Sequence, residues 1–398
     1  MNMWRKEILE DQYLSVSTII ATILLLASFY FKLTVVFFTA VFILLLIYAN
    51  MLYLKRVGDK LILINEKTRT KLFTNDRGEW LLTFENRGLP VMNGELRIFY
   101  NDVVSPEDKR IEERQANYEM NIPFSINYKQ RKEIRLPFIA NKRGLAKIRK
   151  IELHIPHFFG LGEAILQYKY LTKQEVLVYP VTIPVMNKKI MNSNRPGDSQ
   201  ASQSLFEDHL SPAGTRNYVY SDSFNRIHWK ASARNQQLQT KIYDHTAEKG
   251  WNISLNISVS HSVSKQMEEL ISSAAELAYF FQKNDISYSI CVNLRVNSST
   301  PFLYIPFGKG KEHLQKVLEM LAVADRHGSI YPYDKMLSFY ARHLPRQPYF
   351  LHGGQKQPKA QNLLDKIQKN GASLFQLHTN NQTATIGQLS LTVKDVHA

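Results

Sequence analysis

Two long uncharged stretches near the start of the chain constrain its fold more than any other feature. No residue from Leu14 to Phe31 is charged, and after Lys32 the same holds from Leu33 to Leu54. At a rise of about 1.5 Å per residue, helices of these lengths cross a hydrocarbon layer of about 30 Å. The sequence therefore predicts a transmembrane hairpin in residues 1–56, with spans at about 14–31 and 33–54.

A cleaved signal peptide and a buried helical hairpin are the alternatives for these stretches. A signal peptide ends at a small-residue cleavage site, whereas here a second apolar stretch follows the first. Only Lys32 lies between the two stretches, whereas their outer ends are flanked by Arg5, Lys6, Lys55, Arg56 and Lys60. The positive-inside rule then predicts a two-span protein of the cytoplasmic membrane, with both termini and the large soluble part in the cytosol.

The basic charge of the chain points to a negatively charged partner. The formal net charge of the 398 residues is +15, and +13 of it lies after residue 56. Nucleic acid, an anionic membrane and an acidic protein all satisfy such an excess. An anionic inner leaflet explains part of it, and acids are interspersed among the bases, so we expect an anionic membrane and no nucleic acid. The single cysteine, Cys291, excludes an internal disulfide framework and a Cys-based zinc site.

The region after the hairpin, residues 57–186, has the pattern of short β-strands. Apolar residues alternate with polar ones over 80–85, 96–100 and 134–138, and turn sequences that contain glycine separate these runs. This spacing predicts a β-sandwich. It contains no catalytic constellation, so we interpret it as a structural spacer. Residues 187–213 are rich in Asn, Ser, Gln, Pro and Gly over much of their length, which predicts a flexible linker.

From Trp251 to the end, strands and helices alternate. Ile253, Leu255 and Ile257 predict a strand, the apolar residues from Met267 to Phe281 recur at helical spacing, and 287–296 predicts a second strand. Residues 251–398 should therefore form an α/β domain with a parallel sheet covered on both faces. Such sheets bind ligands at the carboxyl ends of their strands.

Residues 214–250 interleave basic and aromatic side chains more densely than any other part of the chain. One interpretation is a structural clasp, in which Trp229 packs on the sheet and Asp222 pairs with an arginine. The other is a surface that binds phosphate, a nucleic acid strand or an acidic protein. The candidate binding or structural residues are Arg216, Tyr218, Asp222, Arg226, His228, Trp229, Lys230 and Arg234.

This segment resembles the signature of the bacterial family called domain of unknown function 58. The resemblance rests on Arg216-Asn217-Tyr218, on Asp222 and on the run from Arg226 to Arg234. Residues 156–162 and 176–180 are similar to two upstream elements of that family, so the resemblance extends over essentially the whole chain. Where the family has Pro-Gly-Asp, this chain has Tyr220-Ser221-Asp222.

The resemblance implies a von Willebrand factor A-like α/β domain. Its metal site would begin at Asn256, Ser258 and Ser260. Asparagine in the first position removes the carboxylate that a hard divalent cation prefers. We therefore expect a degenerate site without metal and a protein without a cofactor.

The resemblance also implies partners, namely a MoxR-type AAA+ ATPase and a transglutaminase-like membrane protein. On this basis we expect a non-enzymatic scaffold or adaptor that works in the assembly or maturation of membrane or envelope components. One alternative is a membrane-tethered binder of nucleic acid or anionic lipid. Another is a hydrolase that uses His228 and Asp222, although the sequence has no nucleophile elbow, P-loop, zinc-helix motif or dinucleotide turn.

Overall fold

The computed structural model divides the chain into two compact units, Met1–Val181 and Thr182–Ala398. The first unit contains both the predicted hairpin and the predicted sandwich, so these are parts of one unit. The structure describes residues 3–10, 12–107, 113–114, 117–156, 162–192, 207–245, 250–259, 262–325, 328–345, 347–380 and 382–389.

The first unit begins with a short strand followed by two helices. These are β1 (Trp4–Glu10), α1 (Gln12–Tyr30) and α2 (Thr34–Arg56). The helix bounds lie within about two residues of the predicted spans. The turn between the helices passes through Lys32, which has a positive φ of 50°.

Among the described residues, α2 is long and apolar enough to cross a membrane, with a mean hydropathy of 2.5 over its best window. The portion of α1 with described side chains, 15–30, is apolar but shorter. Large apolar side chains on both helices are exposed, including Phe29 and Val35, which are 79% and 75% exposed. Such surfaces are unfavourable in water and favourable in lipid, which supports membrane association.

In the described part of the first unit that follows α2, the regular elements are all β-strands. The strands are β2 (Leu61–Ile64), β3 (Thr68–Leu72), β4 (Arg77–Asn86), β5 (Val91–Asn101), β6 (Val104–Pro106), β7 (Glu113–Arg114), β8 (Asn117–Ile126), β9 (Arg131–Ala140), β10 (Gly144–Pro156), β11 (Gly162–Tyr168) and β12 (Gln174–Val178). One sheet has the order β2-β4-β9-β6, and the other has the order β1-β11-β10-β5-β8-β7, with β12 paired to β10 and β3 paired to β12.

The two sheets share one hydrophobic core, as expected of a sandwich. Trp80 and Phe84 from the smaller sheet and Leu96 and Leu153 from the larger sheet are all buried in it. The alternation that predicted these strands in the sequence is the alternation of side chains between core and solvent.

The N-terminal strand β1 is absent from the sequence-based prediction. It pairs antiparallel with β11, from Trp4 opposite Tyr168 to Glu10 opposite Gly162. Trp4 is 1% exposed and lies in the sandwich core. The sandwich therefore contains strands from both sides of the helical hairpin.

The second unit contains a seven-stranded mixed sheet and five helices. Its elements are β13 (Val185–Met186), β14 (Glu207–Asn217), α3 (Trp229–Asn235), β15 (Gln239–His245), β16 (Gly250–Asn256), β17 (Ser258–Val259), β18 (Ser262–Val263), α4 (Met267–Lys283), β19 (Ser287–Arg295), β20 (Phe302–Gly308), α5 (Gly310–Val323), α6 (Tyr333–His343), β21 (Tyr349–Gly354), α7 (Pro358–Lys369), β22 (Ser373–Asn380) and β23 (Thr383–Gln388). The main sheet has the order β13-β23-β22-β21-β16-β19-β20.

The prediction of a parallel sheet is correct for the centre of this sheet and wrong for its flanks. Strands β22, β21, β16 and β19 are parallel, whereas β20 and β23 run antiparallel to their neighbours. Each antiparallel strand follows its partner through a loop too short for a crossover helix.

Helices cover both faces of this sheet. Met336 of α6 and Leu364 of α7 are buried in one cluster with Phe350 of β21. Gly353 of the same strand points to the opposite face, where a Cβ would lie 3.4 Å from Leu270 of α4. The parallel order reverses at β16, because the chain moves to β19 on one side and returns to β21 on the other.

The predicted flexible linker 187–213 is wrong where the structure describes it. Lys188–Asn192 is a 3₁₀-helix, and residues from Glu207 onward belong to β14. Residues 193–206 of that linker lie outside the described residues. Polar composition indicated a loop, whereas β14 is held by pairing with β15, which lies about 30 residues further along the chain.

Candidate functional site

The signature segment forms a clasp, which we define as residues 216–240. The antiparallel strands β14 and β15 hold its two ends, with Arg216 opposite Thr240 and Asn217 opposite Gln239. Between them the chain makes a turn, a 3₁₀-helix at Phe224–Arg226 and the short helix α3.

An ion pair closes the turn of the clasp. The Arg216 guanidinium donates two hydrogen bonds to the Asp222 carboxylate, at 2.7 and 2.6 Å. The Val219 amide and the Thr240 hydroxyl donate to the same carboxylate at 3.1 and 3.0 Å. Arg216, with the help of these donors, lowers the pKa of the Asp222 carboxyl to about 2. Asp222 therefore stays ionised and holds two parts of the clasp together.

His228 begins helix α3 and caps it. Its Nδ1 accepts a hydrogen bond from the Ala231 amide at 3.1 Å, and its own amide donates to the Gln239 carbonyl at 2.7 Å. The His228 carbonyl accepts the Ser232 hydroxyl at 3.0 Å, and the Ser232 Oγ accepts the Gln239 amide at 2.8 Å. These bonds give His228 a structural role that satisfies the first turn of α3.

Three of the four aromatic side chains of the clasp are exposed, and the fourth, Tyr218, is half-buried. Ile227 is 2% exposed and bridges to Thr240, so it supplies the buried contact. Trp229 is 60% exposed and Phe224 is 66% exposed. Their rings meet edge to face, with centroids 5.9 Å apart. We call the exposed group Tyr220, Phe224 and Trp229 the aromatic tip.

Cations and exposed apolar residues lie close to the aromatic tip in the sequence. Lys230 and Arg234 on α3 are exposed, and Arg226 is half-buried. Val219, Leu238 and Ile242 add exposed apolar surface on the same segment. Arginine and exposed aromatic rings are both enriched in protein-binding surfaces.

The structure thus separates the predicted site residues into two groups. Arg216, Asp222 and His228 make the internal bonds of the clasp, and the Tyr218 amide donates to the Leu238 carbonyl. Trp229, Lys230 and Arg234 form an exposed surface. The clasp interpretation is right about the Asp222–Arg216 pair and wrong about Trp229, which does not pack on the sheet.

Asn256 and Ser258, two residues of the predicted degenerate metal site, are joined by hydrogen bonds between neutral groups. The Asn293 Nδ2 donates to Asn256 Oδ1 and to Ser258 Oγ, at 3.0 Å each. The Asn256 Nδ2 donates to the Gln355 carbonyl at 2.8 Å, and Asn293 Oδ1 accepts the Ile257 amide at 2.8 Å. Ser260 lies outside the described residues. Asn293, which the sequence-based interpretation missed, is the residue that joins these groups.

A second buried polar group lies within the α/β sheet and was also missed. The Tyr333 hydroxyl lies 2.7 Å from His352 Nδ1 and 3.0 Å from Ser254 Oγ. Burial, with nearby Lys356 and His378, lowers the pKa of His352 to about 4. Burial also raises the pKa of the Cys291 thiol to about 11, which favours its protonated form at neutral pH.

A cavity of about 590 Å³ opens at the carboxyl ends of β21 and β22. Ser264 and Gln266 before α4, Gly354 after β21 and His378 on β22 line part of it. The described residues contain no cluster of three His, Cys, Asp or Glu side chains arranged to hold a metal ion.

Comparison with known proteins places the clasp and much of the α/β core in one family. The family model described as protein of unknown function DUF58 matches residues 214–347. Residues 214–347 belong to the DUF58 family. The resemblance inferred from the clasp motif is confirmed over this region, which is about a third of the chain and excludes the hairpin and the sandwich.

The uncharacterized protein YeaD of Bacillus subtilis (strain 168) is similar to part of the chain. The two are 26% identical over 136 residues, which is 34% of this chain and 32% of YeaD. The chain therefore aligns with about a third of that relative's length.

Similarity to solved structures is weak. A putative membrane anchored protein from Corynebacterium diphtheriae is 8% identical with a TM-score of 0.23, over 31% of this chain and 33% of that chain. A non-cellulosomal cohesin from Archaeoglobus fulgidus is 12% identical with a TM-score of 0.20, over 30% of this chain and 89% of that chain. At these scores neither similarity carries an argument about fold or function.

Proposed function

We propose that this protein is a non-enzymatic scaffold of the cytoplasmic membrane that binds a partner protein through the clasp of its DUF58 region. In this proposal both α1 and α2 cross the bilayer, and both termini and the soluble part lie in the cytosol. The basic residues at the outer ends of the hairpin support that orientation.

Strand β1 supports two crossings. It precedes α1, and it belongs to the same sandwich as the strands that follow α2. A hairpin that leaves one folded unit and returns to it crosses the membrane an even number of times. Two crossings agree with the apolar surface on both helices.

The exposed Phe224–Trp229 pair is the observation that carries the binding function. The clasp is held by Asp222, His228 and Ile227, so its fold does not depend on burying Trp229. An exposed tryptophan costs hydration free energy, which contact with a partner recovers. Tryptophan, tyrosine and arginine dominate the binding energy of protein interfaces.

The class of partner comes from the family resemblance. It implies a MoxR-type AAA+ ATPase, with a transglutaminase-like membrane protein as a second partner. Lys230 and Arg234 beside the aromatic tip favour an acidic surface on the partner. The central parallel strands and the reversal at β16 support a von Willebrand factor A-like interpretation of residues 251–398.

The bonds of His228 and Asp222 support a non-enzymatic role. His228 Nδ1 accepts from the Ala231 amide, whereas the Asp222 oxygens accept from Arg216, Val219 and Thr240. An acid–base pair needs the orienting group bonded to the base. In the clasp, each of these two side chains is bonded to other groups.

Co-purification from solubilised membranes tests the partner. We expect a MoxR-type ATPase to co-purify with the full chain and to be lost with the double variant Phe224→Ala/Trp229→Ala. Phe73→Ala is the matched control, since Phe73 is also an exposed aromatic residue but lies in the first unit. If no such ATPase co-purifies with the wild-type chain, with or without nucleotide, the partner assignment fails.

Cysteine labelling in intact cells tests the topology. Cys291 is 1% exposed, so an introduced cysteine is the reactive one. A membrane-impermeant maleimide should label Lys32→Cys from outside and should reach Lys60→Cys only after lysis. Labelling of both positions, or of neither, in intact cells contradicts the two-span arrangement.

A further inference from the structure

The end of the sandwich next to the hairpin carries exposed cations and exposed apolar side chains. We define the membrane-proximal rim as Lys60, Arg87, Leu89, Met92, Tyr128 and Lys129. We propose that this rim docks on the headgroups of an anionic bilayer. The inference rests on the proposed membrane anchor, and it adds a second, separate contact between the protein and the lipid.

Hydrogen bonds fix the rim at the level of the membrane surface. Tyr53 lies in the last turn of α2, about 5 Å along the axis from the end of the helix. Its hydroxyl donates to the Pro90 carbonyl at 2.9 Å and accepts the Met92 amide at 3.3 Å. The β4–β5 connection is therefore bonded to a residue at the end of the proposed span.

A second set of bonds joins the neighbouring turns to this connection. The Asn86 Nδ2 donates to the carbonyls of Leu89 and Asn127, at 2.8 and 3.3 Å. The Lys129 amide donates to the Asn86 carbonyl at 2.8 Å, and the Arg87 amide donates to the Lys60 carbonyl at 3.0 Å. The turns around residues 60, 88 and 128 thus form one continuous surface.

The entry of the hairpin is fixed at the same end. The Lys6 Nζ donates to the Lys55 carbonyl at 2.8 Å and pairs with Asp59 at 2.6 Å. The Trp4 indole donates to the Leu61 carbonyl at 2.8 Å. Both ends of the hairpin are bonded to the sandwich, so the sandwich has little freedom to turn this surface away from the bilayer.

The composition of the rim fits an anionic lipid interface. Tyr128 is 59% exposed, and the Lys129 ammonium lies 5.2 Å from its ring centroid. Leu89 and Met92 are 40% and 46% exposed. Tyrosine and apolar side chains favour the boundary between headgroups and acyl chains, and lysine and arginine near the surface favour anionic headgroups.

Two of the described acidic groups near the rim are paired with cations. Glu85 pairs with Arg87 at 2.6 Å, and Asp59 pairs with Lys6. Lys60 and Lys129, together with Lys55 and Arg56 at the end of α2, add positive charge at the same level. Among these residues, cations exceed acids by four, as docking on an anionic leaflet requires.

Fluorescence quenching in lipid nanodiscs tests the inference on the full chain. A fluorophore is attached to Tyr128→Cys or, as a second variant, to Leu89→Cys, and the discs contain headgroup-labelled quencher lipid. Lys142→Cys is the control, because Lys142 is exposed at the opposite end of the sandwich, beside the Asn141 amide that donates to the Val103 carbonyl. We expect strong quenching at residues 128 and 89 and none at residue 142.

Charge reversal separates anionic lipid from other contacts. Arg87→Glu/Lys129→Glu should lower the quenching in discs with phosphatidylglycerol to the level in pure phosphatidylcholine, and Lys142→Glu should leave it unchanged. If residues 128 and 142 are quenched equally and the chain resists carbonate extraction, the docking proposal fails but the proposed membrane anchor stands. Extraction by carbonate overturns the anchor itself. If the cysteines at the rim are shielded from labelling in native membranes but are not quenched in nanodiscs, the rim contacts a membrane protein and not lipid. That result overturns the lipid contact.

Discussion

The indole Nε1 of Trp4 donates a hydrogen bond to the carbonyl of Leu61 at 2.8 Å, although the whole helical hairpin lies between these residues in the sequence. Trp4 stands before α1, and Leu61 begins β2 after α2. The bond closes the base of the hairpin. It also shows that the residues before the first helix belong to the sandwich core.

We therefore expect Trp4→Ala to destabilise the first unit by about 3–5 kcal/mol, because the indole is buried and its loss leaves a cavity. Thermal unfolding of the detergent-solubilised chain, followed by circular dichroism, measures the change. Arg5→Ala on the same strand is exposed and should shift the midpoint little. An equal, small shift for both variants contradicts the placement of β1 in the core.

The two tryptophans of the second unit should respond in opposite ways to truncation. Trp251 is 2% exposed and stacks on Tyr349 with centroids 4.9 Å apart, so Trp251→Ala should cost about 3–5 kcal/mol of stability. Trp229 is 60% exposed, and Trp229→Ala should change the stability by less than about 1 kcal/mol. Urea unfolding of both variants measures the contrast. A large loss of stability in Trp229→Ala would show that the indole is needed for the fold, which contradicts its role as an exposed binding residue.

Asn293 should be one of the least replaceable polar residues of the α/β sheet. Asn293→Ala leaves the Ile257 amide without its bond, whereas Asn256 Oδ1 keeps the bonds that it accepts from Ser258. A buried group left unpaired costs about 1–3 kcal/mol, so we expect a loss of this size in denaturant unfolding. Asn235→Ala, at an exposed position, is the comparison. Wild-type stability of Asn293→Ala would show that the cluster relaxes without it.

His352 should make the second unit less stable as the pH falls. Its pKa is lowered from 6.5 to about 4, so below pH 6.5 the unfolded chain takes up a proton that the folded chain does not. The contribution of His352 to the free energy of unfolding therefore falls by about 3 kcal/mol between pH 6.5 and pH 4. Above pH 6.5 this contribution does not change with pH.

His352→Gln should remove most of that pH dependence. His343→Gln should keep it, because His343 is exposed. The measurement is the unfolding midpoint of the full chain at several pH values between 4 and 7. The same slope in wild type and His352→Gln would assign the effect to other groups.

Sequence periodicity located the elements whose pattern is local. The apolar stretches predict α1 and α2 to within about two residues, and the spacing from Met267 to Phe281 predicts α4. Strand β1 escaped prediction because its sequence, Trp4–Glu10, carries three charges among its first four residues, and only pairing with β11 defines it. Helix α6 was missed because its apolar face consists of Tyr333, Met336, Leu337 and Tyr340, among polar residues.

In the candidate site, too, the features set by nearby residues could be predicted and those set by distant residues could not. The pairing of Asp222 with an arginine followed from charge and proximity in sequence, as the Arg216 contact confirms. The exposure of Trp229 did not follow from the sequence. Whether this tryptophan faces a core or solvent depends on the hydrogen bonds that fix the clasp, which join residues far apart in the sequence. Asn293 joins Asn256 and Ser258 only because β19 lies next to β16, and a pattern within one segment does not contain that information.

The pairing of β1 with β11 sets an order of events during synthesis. Trp4 leaves the ribosome first, yet its partner Tyr168 is made more than 160 residues later. Closing so long a loop costs chain entropy, and the contacts that repay this cost do not exist until β10 and β11 are complete. The apolar helices emerge well before that point. With the proposed anchor, we therefore expect membrane insertion to precede the folding of the sandwich, and the first strand to stay unpaired until β11 is complete.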